Sequence, residues 1–175
     1  MMKKVFLLTI VSLFPILTSC GGSGKTVKLF LSSNEEVNIN AIKENYPSYD
    51  LEISYSNPTS TYYSFLYKTA REKEYDFFVM RDTEYIESDI KNIYVPFDDG
   101  NMSYLGSKTH TFYELDGVKY GIKLNGGDYK INSHISFEEG HDYYLSLAKL
   151  SKQVGSYSIY STDSYLAFEF LTNLL

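Results

Sequence analysis

Cys20 is the only cysteine in the 175-residue chain, and it closes the stretch Leu17-Thr18-Ser19-Cys20 at the end of an apolar run. A lone thiol forms no disulfide within its own chain. Three other groups of residues have types that do chemistry. Gly24-Lys25-Thr26 looks like the tail of a phosphate-binding loop. That loop wants a glycine five positions before Gly24, where Ser19 stands, and a helix after it, where a strand-like segment follows. His134, Glu138, Glu139, His141 and Asp142 are of metal-ligand type, but their spacing matches no metal motif, and a solvated acidic loop is expected there. Asp98 and Asp99 are adjacent in a turn and are expected to face water. No serine sits in a Gly-x-Ser-x-Gly elbow. Neither catalysis nor a metal or cofactor is expected.

A second set of residues is suited to holding a polar ligand. Ser33, Asn34, Ser56, Asn57, Arg81 and Asp82 fall in the loops that follow three strand-like segments. In open α/β sheets, ligands bind at the carboxyl ends of strands. The same side chains suit helix capping, and loop position alone does not separate the two uses. Tyr55, Tyr85 and Tyr120 could stack on a sugar ring through their flat apolar faces, or pack as core or hinge residues.

The elements that must position these residues begin after the N-terminus. Met1-Met2-Lys3-Lys4 is followed by an apolar run of about 13 residues, Val5 to Leu17, and then small residues. That order describes a signal peptide. Roughly 20 apolar residues are needed to span a bilayer, so the run is too short for a permanent anchor, and Pro15 weakens a long helix further. Leu17-Thr18-Ser19-Cys20 resembles the lipobox of bacterial lipoproteins, which implies removal of residues 1–19 and acylation of Cys20 by palmitate-type chains. Acyl chains on one residue hold a domain at a bilayer, since each buried methylene contributes about 0.8 kcal/mol. Residues 20–25, with Gly21-Gly22-Ser23-Gly24, make a flexible tether. The expected location is the extracytoplasmic side of the cell membrane.

Taking 19 residues from 175 leaves 156, a length typical of one domain, with residues 20–25 as the tether and 26–175 as the domain. Losing Lys3 and Lys4 from 16 basic residues leaves 14 against 22 acids. Phosphate binding needs a basic patch, and no lysine or arginine cluster follows the signal, so nucleic acid is excluded as a partner. Eighteen tyrosines and no tryptophan suit sugar or peptide ligands, but an AT-rich genome is the commoner cause of such a count.

Within residues 26–175 the pattern alternates. Lys25 to Leu31, Leu51 to Tyr55 and Tyr75 to Met80 read as strands. Helices are predicted from Ser32–Glu36 to Pro47, from Thr61 to about Lys73, and from Arg81–Thr83 to about Ile90, with a short strand at Ile93-Tyr94-Val95. Strand alternating with helix predicts a parallel sheet flanked by helices. After Pro96, Thr109–Leu115 and Val118–Leu124 around Asp116-Gly117 predict a hairpin. A strand begins at His141, and Ser161–Ser164 cap a last apolar helix.

This order resembles the first lobe of an extracellular solute-binding lipoprotein of an ABC importer, of the sugar-binding type. The matching residues are the lipobox and tether, the strand Val27–Leu31, Glu74-Tyr75-Asp76 leading into Phe77–Met80, the hairpin Asp116-Gly117-Val118-Lys119-Tyr120-Gly121-Ile122, and Tyr143–Lys152 with Ala167–Leu171 as a return strand and helix. The resemblance implies an α/β fold class, a parallel-sheet-based three-layer lobe like one lobe of a periplasmic-binding-protein fold. It also implies import of a sugar or other small polar solute with an ABC permease as partner. Only about 16 residues separate Leu124 from His141, too few for a second lobe. The proline usual after the Tyr-Gly-Ile match is replaced by Lys123. The expectation is therefore a truncated relative, or a surface lipoprotein whose lobe binds a protein or polymer.

Overall fold

The computed structural model describes residues 26–33, 35–56, 75–149 and 164–175. The signal peptide, Cys20, the tether, Asn34, Asn57 and the helix expected from Thr61 lie outside the described residues.

Strand β1 (Thr26–Ser32) lies at the heart of the first half of the sheet, because its apolar residues point both ways. Val27, Leu29 and Leu31 face one side and Phe30 the other, all essentially sealed from solvent. β2 (Asp50–Ser56) pairs with β1 in parallel, Leu29 opposite Ile53. β3 (Phe77–Arg81) pairs with β1 in parallel on its other side, Phe30 opposite Phe78. A strand covered on both faces needs such a continuous apolar run. β2 is an edge, and it alternates as an edge should: Leu51 points inward while Asp50, Glu52 and Ser54 are exposed. Asp76, just before β3, receives the Lys28 N–H on its carboxylate at 2.8 Å and passes its own carbonyl to Ala148 N–H.

The parallel arrangement stops there. β4 (Phe112–Leu115) and β5 (Val118–Lys123) form a hairpin, and β6 (Tyr143–Leu147) lies antiparallel to both β3 and β5. The order is β2-β1-β3-β6-β5-β4, a mixed six-stranded sheet of α/β class. The expectation of a parallel sheet thus holds for the first three strands and is corrected for the other three. A two-residue connection leaves β4 and β5 no other pairing. Asp116 and Gly117 both take positive φ, +52° and +76°, which is the conformation that matches the twist of a tight hairpin.

Helices cover both faces, giving three layers. Helix α1 (Ile39–Asn45) and helix α3 (Ser164–Leu174) pack on the side of Leu29, Leu31, Phe77 and Leu145. Phe170 of α3 is fully buried with its ring edge-on to Tyr46, Tyr49 and Phe77. Helix α2 (Glu87–Ile93) covers the other side, over Phe30, Phe78, Met80 and Tyr144.

Local boundaries differ from expectation for identifiable reasons. α1 starts after Asn38, not at Ser32–Asn34, because the Asn38 side chain accepts from Ala41 N–H while Val37 is drawn into the core. Ile93-Tyr94-Val95 is not a strand. Tyr94 N–H still donates to Ile90 O at the end of α2, and only an isolated bridge joins Tyr94 to Ala148. β4 starts at Phe112 rather than Thr109. His110 contacts both Leu105 O and Tyr129 OH, which holds the preceding residues off the strand path.

Candidate functional site

Because β1, β2 and β3 are neighbours and parallel, their carboxyl ends share one rim. Ser33 N–H donates to Ser56 O at 3.1 Å, so these two expected site residues are adjacent. At β3, Arg81 ends the strand and Asp82–Glu84 form one 3-10 turn. The fastening between β1 and β3 is Glu84. Its carboxylate accepts Ser32 Oγ at 3.0 Å and the backbone N–H of Arg81 at 2.7 Å. It is nearly sealed from water. Burial pushes its carboxyl above the ordinary range, against the opposing pull of those two hydrogen bonds and the Arg81 charge.

The opposite wall comes from the connection between β5 and β6, residues 124–142. Tyr129, Ile131 and Ile135 anchor it in the core beneath α1 and α3. Asn132 holds its turn by donating to Leu124 O and Gly127 O. From this platform four side chains reach the rim and its surroundings. Ser136 donates to Glu35, and His134 meets Asn45. Glu138 meets the Arg81 guanidinium, Oε2 to Nη1, at 2.5 Å. His141 Nδ1 lies 2.9 Å from Asp82 Oδ1. Asp142, next in the chain, pairs with Lys123 of β5 at 2.7 Å and accepts from Tyr144 OH at 3.4 Å. Asn125 completes the join by donating to His141 O and accepting from Tyr143 N–H.

Residues 134–142 form a largely irregular, part-exposed acidic connection, as expected, and within it His134, Glu138, His141 and Asp142 are each engaged. No group of three or more His, Cys, Asp or Glu residues placed to hold a metal occurs among the described residues. Asp82 and Tyr144 are shifted in opposite directions from their ordinary values. Burial raises Asp82, but the hydrogen bonds from His141 and from the N–H groups of Asp142 and Thr83 outweigh it and leave the carboxyl below its ordinary range. Tyr144 is pushed up to about 12 by burial first and then by the Asp142 carboxylate.

The chain matches no protein-family model, and no curated protein matches it either.

The expected ligand residues thus divide. Ser33, Ser56, Arg81 and Asp82 come together on the rim. Tyr55 is on the edge strand at the same end, with 40% of its surface exposed. Tyr85 and Tyr120 are instead core residues of the α2 face. Tyr85 is stacked on Tyr113 with centroids 4.6 Å apart, edge-on to Tyr144, and its hydroxyl is bonded to Ser146 Oγ within the interior. Burial holds that phenol far above its ordinary range. With its ring so enclosed, Tyr85 offers no free face to a sugar. The sequence reading missed Glu84 as a rim residue. Its signal was the Arg-x-x-Glu spacing at a helical start, a carboxylate three residues on that turns back to the strand's last N–H.

Arg81 is the rim residue whose bonding is incomplete. Its Nε is buried and has no partner, and its side chain keeps 19% of its surface. Hydroxyl, carboxylate and guanidinium groups from three strands and one connection thus share one rim.

Proposed function

We propose that this chain is a lipid-anchored extracytoplasmic solute-binding-like protein that serves import of a sugar or other small polar solute through an ABC permease. Binding, not catalysis, is its role in this reading. The lipid on Cys20 holds it to the outer side of the cell membrane. The observation that carries the proposal is the shared rim: Ser33, Ser56, Arg81 and Asp82 lie at the carboxyl ends of three adjacent parallel strands. That is where an open α/β sheet receives ligands. β6 supports the likeness to a binding-protein lobe, since it enters antiparallel between β3 and β5 as a strand returning from a crossover would. In this reading the connection 124–142 stands where a second lobe would close and supplies a short opposing wall.

Thermal shift and calorimetry with a panel of mono- and oligosaccharides test the proposal. A solute with a Kd of about 10 µM, present at 1 mM, stabilises the folded chain by about 2.7 kcal/mol. For a domain of this size that raises Tm by about 5–10 °C. No shift with any polar solute at millimolar concentration retires the proposal.

A further inference from the structure

Resting on that binding reading, we propose that the solute carries a carboxylate, and that this carboxylate takes the place on Arg81 now held by Glu138. A guanidinium has five N–H donors in a fixed fork. Among the described residues, the Arg81 fork has one acceptor, a single Glu138 oxygen on Nη1, and its buried Nε has none. A buried donor left without a partner costs free energy. A carboxylate lying across Nε and an Nη nitrogen would satisfy both at once, in the paired geometry that arginine favours. Glu138 leaves that geometry half used.

The two partners are also unequally held. Arg81 terminates a central strand and keeps 19% side-chain exposure, whereas Glu138 comes from the connection and keeps 37%. Glu138 is thus the more solvent-exposed partner of the two. Charge balance favours exchange over addition. Asp82 is bonded to His141, Asp142 to Lys123, and Glu84 accepts from Ser32 and from the Arg81 N–H. An incoming carboxylate that displaces Glu138 replaces one negative charge by another at the guanidinium. A neutral hydroxyl in the same place would cost the guanidinium the carboxylate bonded to its Nη1.

The test uses the full chain in detergent, titrated with D-glucuronate, D-glucose and succinate. Glucuronate or succinate should bind more tightly than glucose. Both acids binding means that any carboxylate is accepted; glucuronate alone means a sugar acid. Glu138→Gln removes the internal competitor and should tighten acid binding about tenfold, while Arg81→Lys should weaken it about tenfold to a hundredfold. Should Arg81→Lys fail to fold, the Glu138→Gln comparison of acid with glucose decides alone. Neutral sugars binding as well as acids, or acid affinity unmoved by Glu138→Gln, would make Arg81–Glu138 a fixed structural pair and overturn this inference while sparing solute binding. Binding of no solute at all would end both.

Discussion

His141 Nδ1 sits 2.9 Å from Asp82 Oδ1, so the residue just after β3 and a residue just before β6 are joined across the rim. Asp82 is held below its ordinary range by that bond and by two backbone N–H groups, against the upward push of burial. A depressed carboxyl contributes stability above the unfolded value, near 3.9, and loses it as pH falls through the folded value. Wild-type stability in urea should therefore drop more steeply below about pH 4 than that of Asp82→Asn. The site is part-exposed, so the difference should stay under about 1 kcal/mol. Parallel pH profiles for the two proteins would remove Asp82 from the acid response.

Glu84 is expected to be structural in a measurable way. Replacing it with Ala leaves Ser32 Oγ and the Arg81 N–H without their acceptor in a buried place. Such a change costs about 1–3 kcal/mol for each donor so orphaned. Gln keeps one acceptor oxygen and sheds the buried charge, so Glu84→Gln should lose less than half as much. Equilibrium urea unfolding of the two variants checks the order; equal losses would contradict it.

Gly121 lies where β5 crosses the Tyr85–Ser146 contact. A Cβ there would come 2.7 Å from the Tyr85 hydroxyl oxygen and 2.8 Å from Ser146 Oγ. Gly121→Ala must therefore push those hydroxyls apart, at a cost of about 1–3 kcal/mol from overpacking. The near-ultraviolet circular dichroism of the tyrosine cluster should change with it. An unchanged spectrum and midpoint would mean that the interior yields freely at this point.

The proposed lipid anchoring makes Cys20 the residue on which attachment depends. In cells, Cys20→Ala should abolish incorporation of labelled palmitate and move the protein from the detergent phase to the aqueous phase on partition. Wild-type protein found wholly in the aqueous phase would count against lipidation.

Much of this could be read from residue order, and the misses have physical causes. β1 to β3 announced themselves through apolar runs such as Phe77–Met80, and the hairpin through Asp116-Gly117. The rim followed from parallel pairing. α1 began late because Ser33 and Asn38 are both able to cap, and only burial of Val37 chooses between them. Tyr85 and Tyr120 stayed open between two roles because tyrosine is at home both in a core and at a sugar, and only packing against the α2 face selects the core. Glu138 was hidden because its partner lies 57 residues away, and no periodicity records a contact of that separation.

The central position of β6 also bears on the order of assembly. As the chain is made from its N-terminus, β1–β3 and the β4–β5 hairpin exist before residues 143–147 do, yet no strand pairing joins β3 directly to β5. Until β6 pairs, β3 and β5 share no ladder. Among the described strands, the last in the chain is thus the one that makes the sheet single.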